Sequence, residues 1–182
     1  MEFSEVLHRF VARYRARTTP GTRVGMLDLL ERPPQGTVAL LFFTGHGLFN
    51  DKAAAASAIK LENRESIAAE EVASESVRLG ERDGTVVFFN ACEVGATAGA
   101  LGDVGGWAGA FLSRRFRAFI APLWAIDEED AGQATLTLIE QVVQQRRPIG
   151  EALRDLRQQF GAVSPTFYSY LLYGDVTARF GD

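Results

Sequence analysis

Hydrophobic and polar positions repeat with different periods along the chain, and each change of period predicts an element. Apolar residues recur at helical spacing near the N-terminus, which predicts an amphipathic helix over residues 3–16. Continuous apolar runs follow at residues 38–43, 86–89 and 118–124. Such runs are typical of strands buried on both faces of a sheet, and we expect the first of them to be a central strand.

Helical patterns separate the apolar runs. Ser66 is in position to cap a helix that ends near Leu79, and Asp127 is in position to cap a helix over residues 128–145. Apolar spacing predicts further helices at 107–116 and 149–160 and short strands at 58–61 and 168–173. Strands that alternate with helices predict an α/β fold with a mostly parallel central sheet and helices on both faces.

Length and composition indicate one globular domain. The chain has 182 residues, of which 47% are hydrophobic, and this is enough for a substantial core. The formal net charge of -4 gives no general attraction to nucleic acid or to an anionic membrane. No apolar segment is long enough to span a bilayer, and the N-terminal residues lack the apolar core of a signal peptide, so we expect a cytoplasmic protein.

Two residues with catalytic chemistry follow two of the predicted strands. His46 comes three residues after the first apolar run, and Cys92 comes three residues after the second. Because the loops at the carboxyl ends of parallel strands converge, the two side chains would face each other if the strands are neighbours. An imidazole can take the proton of a thiol, and the thiolate attacks carbonyl carbons. The backbone N–H groups of Gly47 and Cys92 are candidates to stabilise the negative charge that develops on the carbonyl oxygen.

The cysteine and histidine counts narrow the classes of reaction. Cys92 is the single cysteine, so an internal disulfide, a cysteine-based metal site and a two-cysteine redox cycle are excluded, and we expect no metal and no cofactor. The two histidines, His8 and His46, both precede Cys92. Papain-like proteases and class I glutamine amidotransferases have the opposite order and are excluded. Caspases place their histidine about 50 residues before the cysteine, close to the spacing of 46 residues found here.

Five segments together resemble one family. In chain order they are FFTGHG, FNACEVG, AFLSRRFRAFIAPLWAIDEEDA, IGEALRDLRQQF and YSYLLYGD. With this order and spacing, the sequence resembles the CHAT domain, a mainly bacterial branch of the caspase, separase and gingipain superfamily of cysteine peptidases. The resemblance covers about residues 38–175, which would form the peptidase core of a single domain over residues 1–182, with an N-terminal helix and lead-in at 1–35.

The resemblance implies a role for the residues that match. His46 would be the catalytic histidine, Cys92 the nucleophile, and the N–H groups of Gly47 and Cys92 the oxyanion hole. It also implies a caspase-like three-layer sandwich in which the segment after the third strand lines the substrate pocket, so Trp124 and Asp127 are candidates for substrate binding. Asp127 is also interpreted as a helix cap, and both interpretations stay open here.

The resemblance also implies regulation. CHAT domains usually end much longer chains that carry tetratricopeptide repeats or other sensor modules, so both an excised domain and a free-standing protease are compatible with the sequence. We expect a sensor or a repeat-containing protein as regulatory partner. The segments at 48–66 and 93–106 border the predicted site, and we expect them to keep it inactive until a partner binds.

Three functions are compatible with these observations. The first is a cysteine endopeptidase that cleaves a specific protein or peptide through a Cys-His dyad and a thioester. The second is a caspase-fold module that binds a partner without cleaving it, and the third is a cysteine-dependent hydrolase of small amides. Nucleic acid and membranes are not expected partners in any of them.

Overall fold

A computed structural model describes residues 3–14, 16–50, 53–92 and 105–180. The helices of these ranges are α1 (Phe3–Tyr14), α2 (Arg23–Glu31), α3 (Ala69–Val72), α4 (Leu79–Asp83), α5 (Gly106–Ser113), α6 (Glu128–Ile139), α7 (Ile149–Phe160) and α8 (Thr166–Ser169). The strands are β1 (Leu40–Gly45), β2 (Gly47–Leu48), β3 (Ala58–Lys60), β4 (Ser66–Ala68), β5 (Val86–Ala91), β6 (Ala118–Pro122) and β7 (Tyr170–Gly174). A π-helical turn, Glu140–Gln144, continues α6.

The four-stranded sheet forms the centre of the described structure. Its strand order is β1-β5-β6-β7, in which β1, β5 and β6 run parallel and β7 runs antiparallel to β6. The prediction of a mostly parallel sheet in an α/β fold is therefore confirmed. Every residue of β5 and β6 is buried, as expected for apolar runs in the middle of a sheet.

The prediction that the first apolar run is a central strand was wrong. In the described part of the chain β1 lies at the edge of the sheet, and Leu41 is its one buried residue. The apolar pattern of residues 38–43 suggested a central strand because Phe42 and Phe43 pack on aromatic rings on the two faces of the sheet. The ring centroids of Phe42 and Phe88 are 5.5 Å apart, and those of Phe43 and Phe89 are 5.2 Å apart. An edge strand that packs on both faces has the apolar pattern of a central one.

Helices cover both faces of this sheet, as the sequence predicts. One core contains Phe89 of β5, whose ring lies 5.3 Å from the rings of both Trp107 and Phe111 of α5. The other core contains Phe88 of β5, together with Leu138 of α6 and buried residues of α1 and α7. Successive side chains of a strand point to opposite faces, so β5 contributes alternate residues to the two cores. Full burial of a phenylalanine side chain such as Phe88 or Phe89 contributes about 2–3 kcal/mol to the free energy of unfolding.

A small antiparallel sheet of β2, β3 and β4 stands beside the main one. The predicted strand at 58–61 is confirmed as β3, whereas the predicted helix from Ser66 to Leu79 was wrong. Residues 66–68 instead pair with β3, and the chain forms the short helices α3 and α4 after them. Glu71 determines the start of α3, because its Oε2 accepts a hydrogen bond from the N–H of Ala68 at 2.8 Å.

α2 was not predicted from the sequence. Thr22 caps it by accepting a hydrogen bond from the N–H of Gly25 at 3.1 Å. Arg23 at its start donates to a carboxylate oxygen of Glu71, so α2 is tied to α3. Within the described ranges, no helix combines the length and the apolar character that crossing a bilayer requires.

Candidate active site

Two neighbouring parallel strands end one residue before His46 and Cys92. The register of β1 and β5 pairs Gly45 with Ala91 at the carboxyl ends of both strands. His46 and Cys92 are the next residues of the two strands, so the backbone leaves the sheet at adjacent positions. Strands that are hydrogen-bonded to each other lie about 4.8 Å apart, which is within reach of two side chains. Both strands end two residues later than the sequence predicts. His46 and Cys92 therefore follow β1 and β5 directly, without the two intervening residues that the prediction had.

The alternation of side chains along the strands gives these residues a common face. Phe42 pairs with Phe88, and Thr44 pairs with Asn90, so each pair shares one face of the sheet. His46 and Cys92 are the next positions of this alternation, directly after β1 and β5 have ended. An extended backbone at both positions would place the imidazole and the thiol on the face that carries the α1, α6 and α7 core.

The small sheet fixes the backbone around His46. The carbonyl of His46 accepts a hydrogen bond from the N–H of Lys60 at 2.9 Å, and Gly47 lies opposite Ile59 in the β2–β3 ladder. This bond makes the Gly47 and Ile59 pair one of the non-hydrogen-bonded type, in which the N–H of Gly47 points away from β3. The N–H of Gly47 is thus left outside the ladder, as an oxyanion donor requires.

The exposure of the two residues is compatible with chemistry on a bound molecule. The side chain of His46 is exposed, and Cys92 is half-buried. Of the two segments predicted to border the site, residues 48–66 contain β3, whose Lys60 N–H donates to the His46 carbonyl. The other predicted segment, 93–106, lies outside the described residues up to 104, and its regulatory role stays a prediction.

A buried polar pair lies behind Cys92. Asn90 and Tyr170 are both 0% exposed, and the Tyr170 hydroxyl donates a hydrogen bond to Asn90 Oδ1 at 2.7 Å. Burial raises the pKa of the Tyr170 phenol far above its usual range, and the nearby charges of Cys92 and Asp130 raise it further. The phenol therefore stays protonated at neutral pH and acts as a hydrogen-bond donor.

Two buried polar atoms of β1 and β5 on this face have no hydrogen-bond partner among the described residues. They are Thr44 Oγ1 and Asn90 Nδ2, on residues that pair across β1 and β5. An unpaired buried polar atom costs about 1–3 kcal/mol, so each one calls for an explanation, and a functional role is one of them. The sequence reasoning did not single out Asn90 or Tyr170. The signal was a polar residue inside the apolar run VVFFNA.

Trp124 follows the third parallel strand. It comes two residues after the end of β6, the strand next to β5, and its side chain is 40% exposed. The preceding Leu123 is anchored by its N–H, which donates to the carbonyl of Ser169 at 2.9 Å. A large apolar side chain is thus exposed at the same edge of the sheet as His46 and Cys92.

Asp127 is a helix cap. Its Oδ1 accepts hydrogen bonds from the N–H groups of Glu129 at 2.9 Å and Asp130 at 3.1 Å, in the first turn of α6. Its own N–H donates to Thr166 Oγ1 at 3.3 Å. The predicted cap is confirmed. A role in substrate binding stays a prediction, and the exposed carboxylate has a second oxygen that these two bonds do not use.

Other parts of the described surface are less suited to this chemistry. A recess of about 530 Å³ lies at the start of α7 and contains Arg154 and Arg179, away from the carboxyl edge of the sheet. In the described ranges, no group of three or more His, Cys, Asp or Glu side chains is arranged to hold a metal ion.

Comparison with known proteins bears on the family. A search of the curated proteins finds no match. The family model of the CHAT domain matches residues 6–167, which is most of the chain and includes β1, β5 and β6 with the residues that follow them. The matched range contains four of the five segments singled out in the sequence, and the fifth, at residues 168–175, lies beyond it. The chain therefore belongs to the CHAT domain family, whose members are caspase-like proteins.

Proposed function

We propose that the chain is a cysteine endopeptidase that uses His46 and Cys92 as a catalytic dyad. The observation that supports this most strongly is the β1–β5 register, which brings the residues after Gly45 and Ala91 to adjacent positions in a CHAT domain. A cysteine nucleophile needs a nearby base such as an imidazole, and His46 follows the neighbouring strand at this edge of the sheet.

The proposed reaction has two stages. The imidazole of His46 takes the proton of the Cys92 thiol, and the thiolate sulfur attacks the carbonyl carbon of a peptide bond, so that a C–S bond forms. The tetrahedral intermediate carries negative charge on its oxygen, which the N–H groups of Gly47 and Cys92 stabilise. The C–N bond then breaks as His46 gives its proton to the leaving amine, and a thioester remains. Water, deprotonated by His46, hydrolyses the thioester and releases the Cys92 thiolate.

The substrate in this proposal is a protein or a peptide. Trp124 is an exposed aromatic surface for a substrate side chain, because it follows the strand next to β5. Asp127 lies in the same segment and would favour a basic residue before the cut if its free oxygen faces the substrate. A sensor or repeat-containing partner would control access to the site.

A peptide-library cleavage profile tests the proposed function. We expect the parent chain to cleave a defined subset of peptides, and either Cys92→Ala or His46→Ala to lower the rate by about 10³-fold or more, because the two residues act as one unit. The exposed histidine of α1 provides the control, and His8→Ala should cleave like the parent. Cleavage by Cys92→Ala at the parent rate would contradict the dyad.

The same experiment separates the alternatives. A folded parent chain that cleaves no peptide but binds a partner would be a caspase-fold interaction module. A chain that hydrolyses small amides and leaves the library intact would be an amidase.

A further inference from the structure

The small sheet has one buried face and one exposed face. Ile59 of β3 pairs with Ile67 of β4, and both side chains are 0% exposed. The preceding residue of β3, Ala58, pairs with Ala68 of β4 and with Leu48 of β2, so these three form a second row. Because successive side chains of a strand point to opposite faces, the second row belongs to the face turned away from the core. Leu48 is the large apolar side chain of this row, and it is 47% exposed.

Leu48 lies close to the proposed catalytic histidine. It follows His46 by two residues, which span at most about 7 Å of chain. The N–H of Lys60 donates to the His46 carbonyl at 2.9 Å, so the backbone of His46 is itself tied to β3. A single exposed leucine is ordinary on a protein surface, and it is the position beside His46 that gives this one a candidate role.

The order of the strands sets the direction in which a bound peptide would cross the site. Going from β6 to β5 to β1 along the carboxyl edge of the main sheet, the chain presents Trp124, then Cys92, then His46. In the proposed reaction the sulfur bonds to the carbonyl carbon, and His46 gives its proton to the nitrogen of the leaving amine. The substrate residues after the cut therefore lie on the His46 side. Beyond His46 the chain continues into β2, which carries Leu48.

We propose that Leu48 is a specificity-determining residue that contacts the substrate side chain directly after the cut and favours an apolar one. This inference rests on the proposed function, because it names the substrate class of the same site. An apolar side chain laid on Leu48 would remove apolar surface of both partners from water, and the small side chains of Ala58 and Ala68 leave room beside it. A polar side chain at this position gains nothing from the contact.

The test compares two peptides that differ only in the residue directly after the cut, which is leucine in one and serine in the other. Their residues before the cut come from the cleavage profile of the parent chain. The measured quantity is the ratio of the two kcat/KM values on the full chain. A fluorogenic amide with the same residues before the cut, and no amino acid after it, measures the dyad without this contact.

We expect the parent chain to prefer the leucine peptide about tenfold, because a contact on an open surface gives discrimination at the low end of that seen in apolar pockets. Leu48→Ser should reduce this preference to about twofold or less, since the apolar surface is lost. Leu48→Met keeps an apolar side chain of similar volume and should restore the preference of the parent.

Val176→Ser is the matched control. Val176 is 54% exposed, and it follows β7 at the opposite edge of the sheet, where the N–H of Asp175 donates to the carbonyl of Arg117, just before β6 begins. Val176→Ser should keep the preference of the parent. A small loss of stability in either serine variant affects both peptides equally, so the ratio reports the contact alone.

The outcomes separate this inference from the proposed function. If the parent cleaves the fluorogenic amide but shows no preference after the cut, or if Leu48→Ser keeps that preference, the inference is wrong and the dyad stands. If the parent cleaves neither the amide nor any peptide, the proposed function fails and the inference fails with it.

Discussion

At the residue scale, Asp127 caps a helix and is also a proposed contact for substrate. Its Oδ1 accepts both capping bonds at the start of α6, from Glu129 and Asp130. The carboxylate is nevertheless exposed, in the same short segment as Trp124. A substitution that keeps the oxygen and removes the charge can therefore separate stability from substrate recognition.

Asp127→Ala should lower the free energy of unfolding by about 1 kcal/mol, because α6 loses its cap, whereas Asp127→Asn should change it little. Urea unfolding of the three proteins at neutral pH measures this difference. Equal stability of Asp127→Ala and the parent would contradict the capping role. If Asp127→Asn is as stable as the parent and yet no longer cleaves after Arg or Lys, the carboxylate also contacts substrate.

Sequence spacing was sufficient to place His46, Gly47 and Cys92 after the ends of two strands, because each follows an apolar run whose strand is easy to recognise. Asn90 and Tyr170 could not be paired in the same way. They are 80 residues apart, and their contact depends on the positions of β5, β6 and β7 in the sheet. A tyrosine in a predicted strand gives no sign of which residue its hydroxyl reaches.

At the element scale, a network around α4 holds the lead-in to β1. Arg82 donates to the carbonyls of Pro33, Pro34 and Gly36, and it also donates to both carboxylate oxygens of Asp83. Asp83 Oδ2 in turn accepts from the N–H of Val38 at 2.8 Å. These bonds fix where the chain enters β1, the strand that His46 follows directly.

This network predicts a dependence of stability on pH. The hydrogen bond from Arg82, followed by that from the N–H of Val38, lowers the pKa of the Asp83 carboxyl below its usual value of 3.8. Because the folded pKa is below the unfolded one, Asp83 stabilises the fold above the unfolded pKa, and this contribution is lost as the pH falls through the folded pKa. Asp83→Asn should therefore be less stable than the parent at neutral pH, and the gap should narrow below about pH 4.

Urea unfolding at pH 7 and near pH 3 measures this gap. The exposed Glu75→Gln variant controls for the loss of one negative charge. A gap of equal size at both pH values would mean that Asp83 acts through packing and not through its charge.

The elements that were predicted correctly are those whose apolar pattern lies within one continuous segment of the sequence. α1, α7, β5 and β6 have clear apolar patterns, and all four are confirmed. The segment at 66–79 was mistaken for one helix because Glu70 and Glu71 suit a first turn. In the structure, pairing with β3 takes residues 66–68, and that pairing comes from tertiary contacts which local propensity does not record.

At the scale of the whole molecule, two cores on opposite faces of one sheet hold the site. The Phe89 core and the Phe88 core share β5, the strand that carries Cys92 at its end. A strand buried on both faces has little freedom to shift, so the fold fixes the end of β5, directly before Cys92, relative to β1. We propose that this arrangement makes the Cys92 thiol reactive.

The rate at which iodoacetamide alkylates Cys92 near pH 6.5 tests that claim most directly, because it needs no knowledge of the substrate. We predict that the folded parent reacts at least about tenfold faster than the chain unfolded in urea, that His46→Ala loses this advantage, and that His8→Ala keeps it. Alkylation of the folded parent at the same rate as His46→Ala, and no faster than the unfolded chain, would contradict the account.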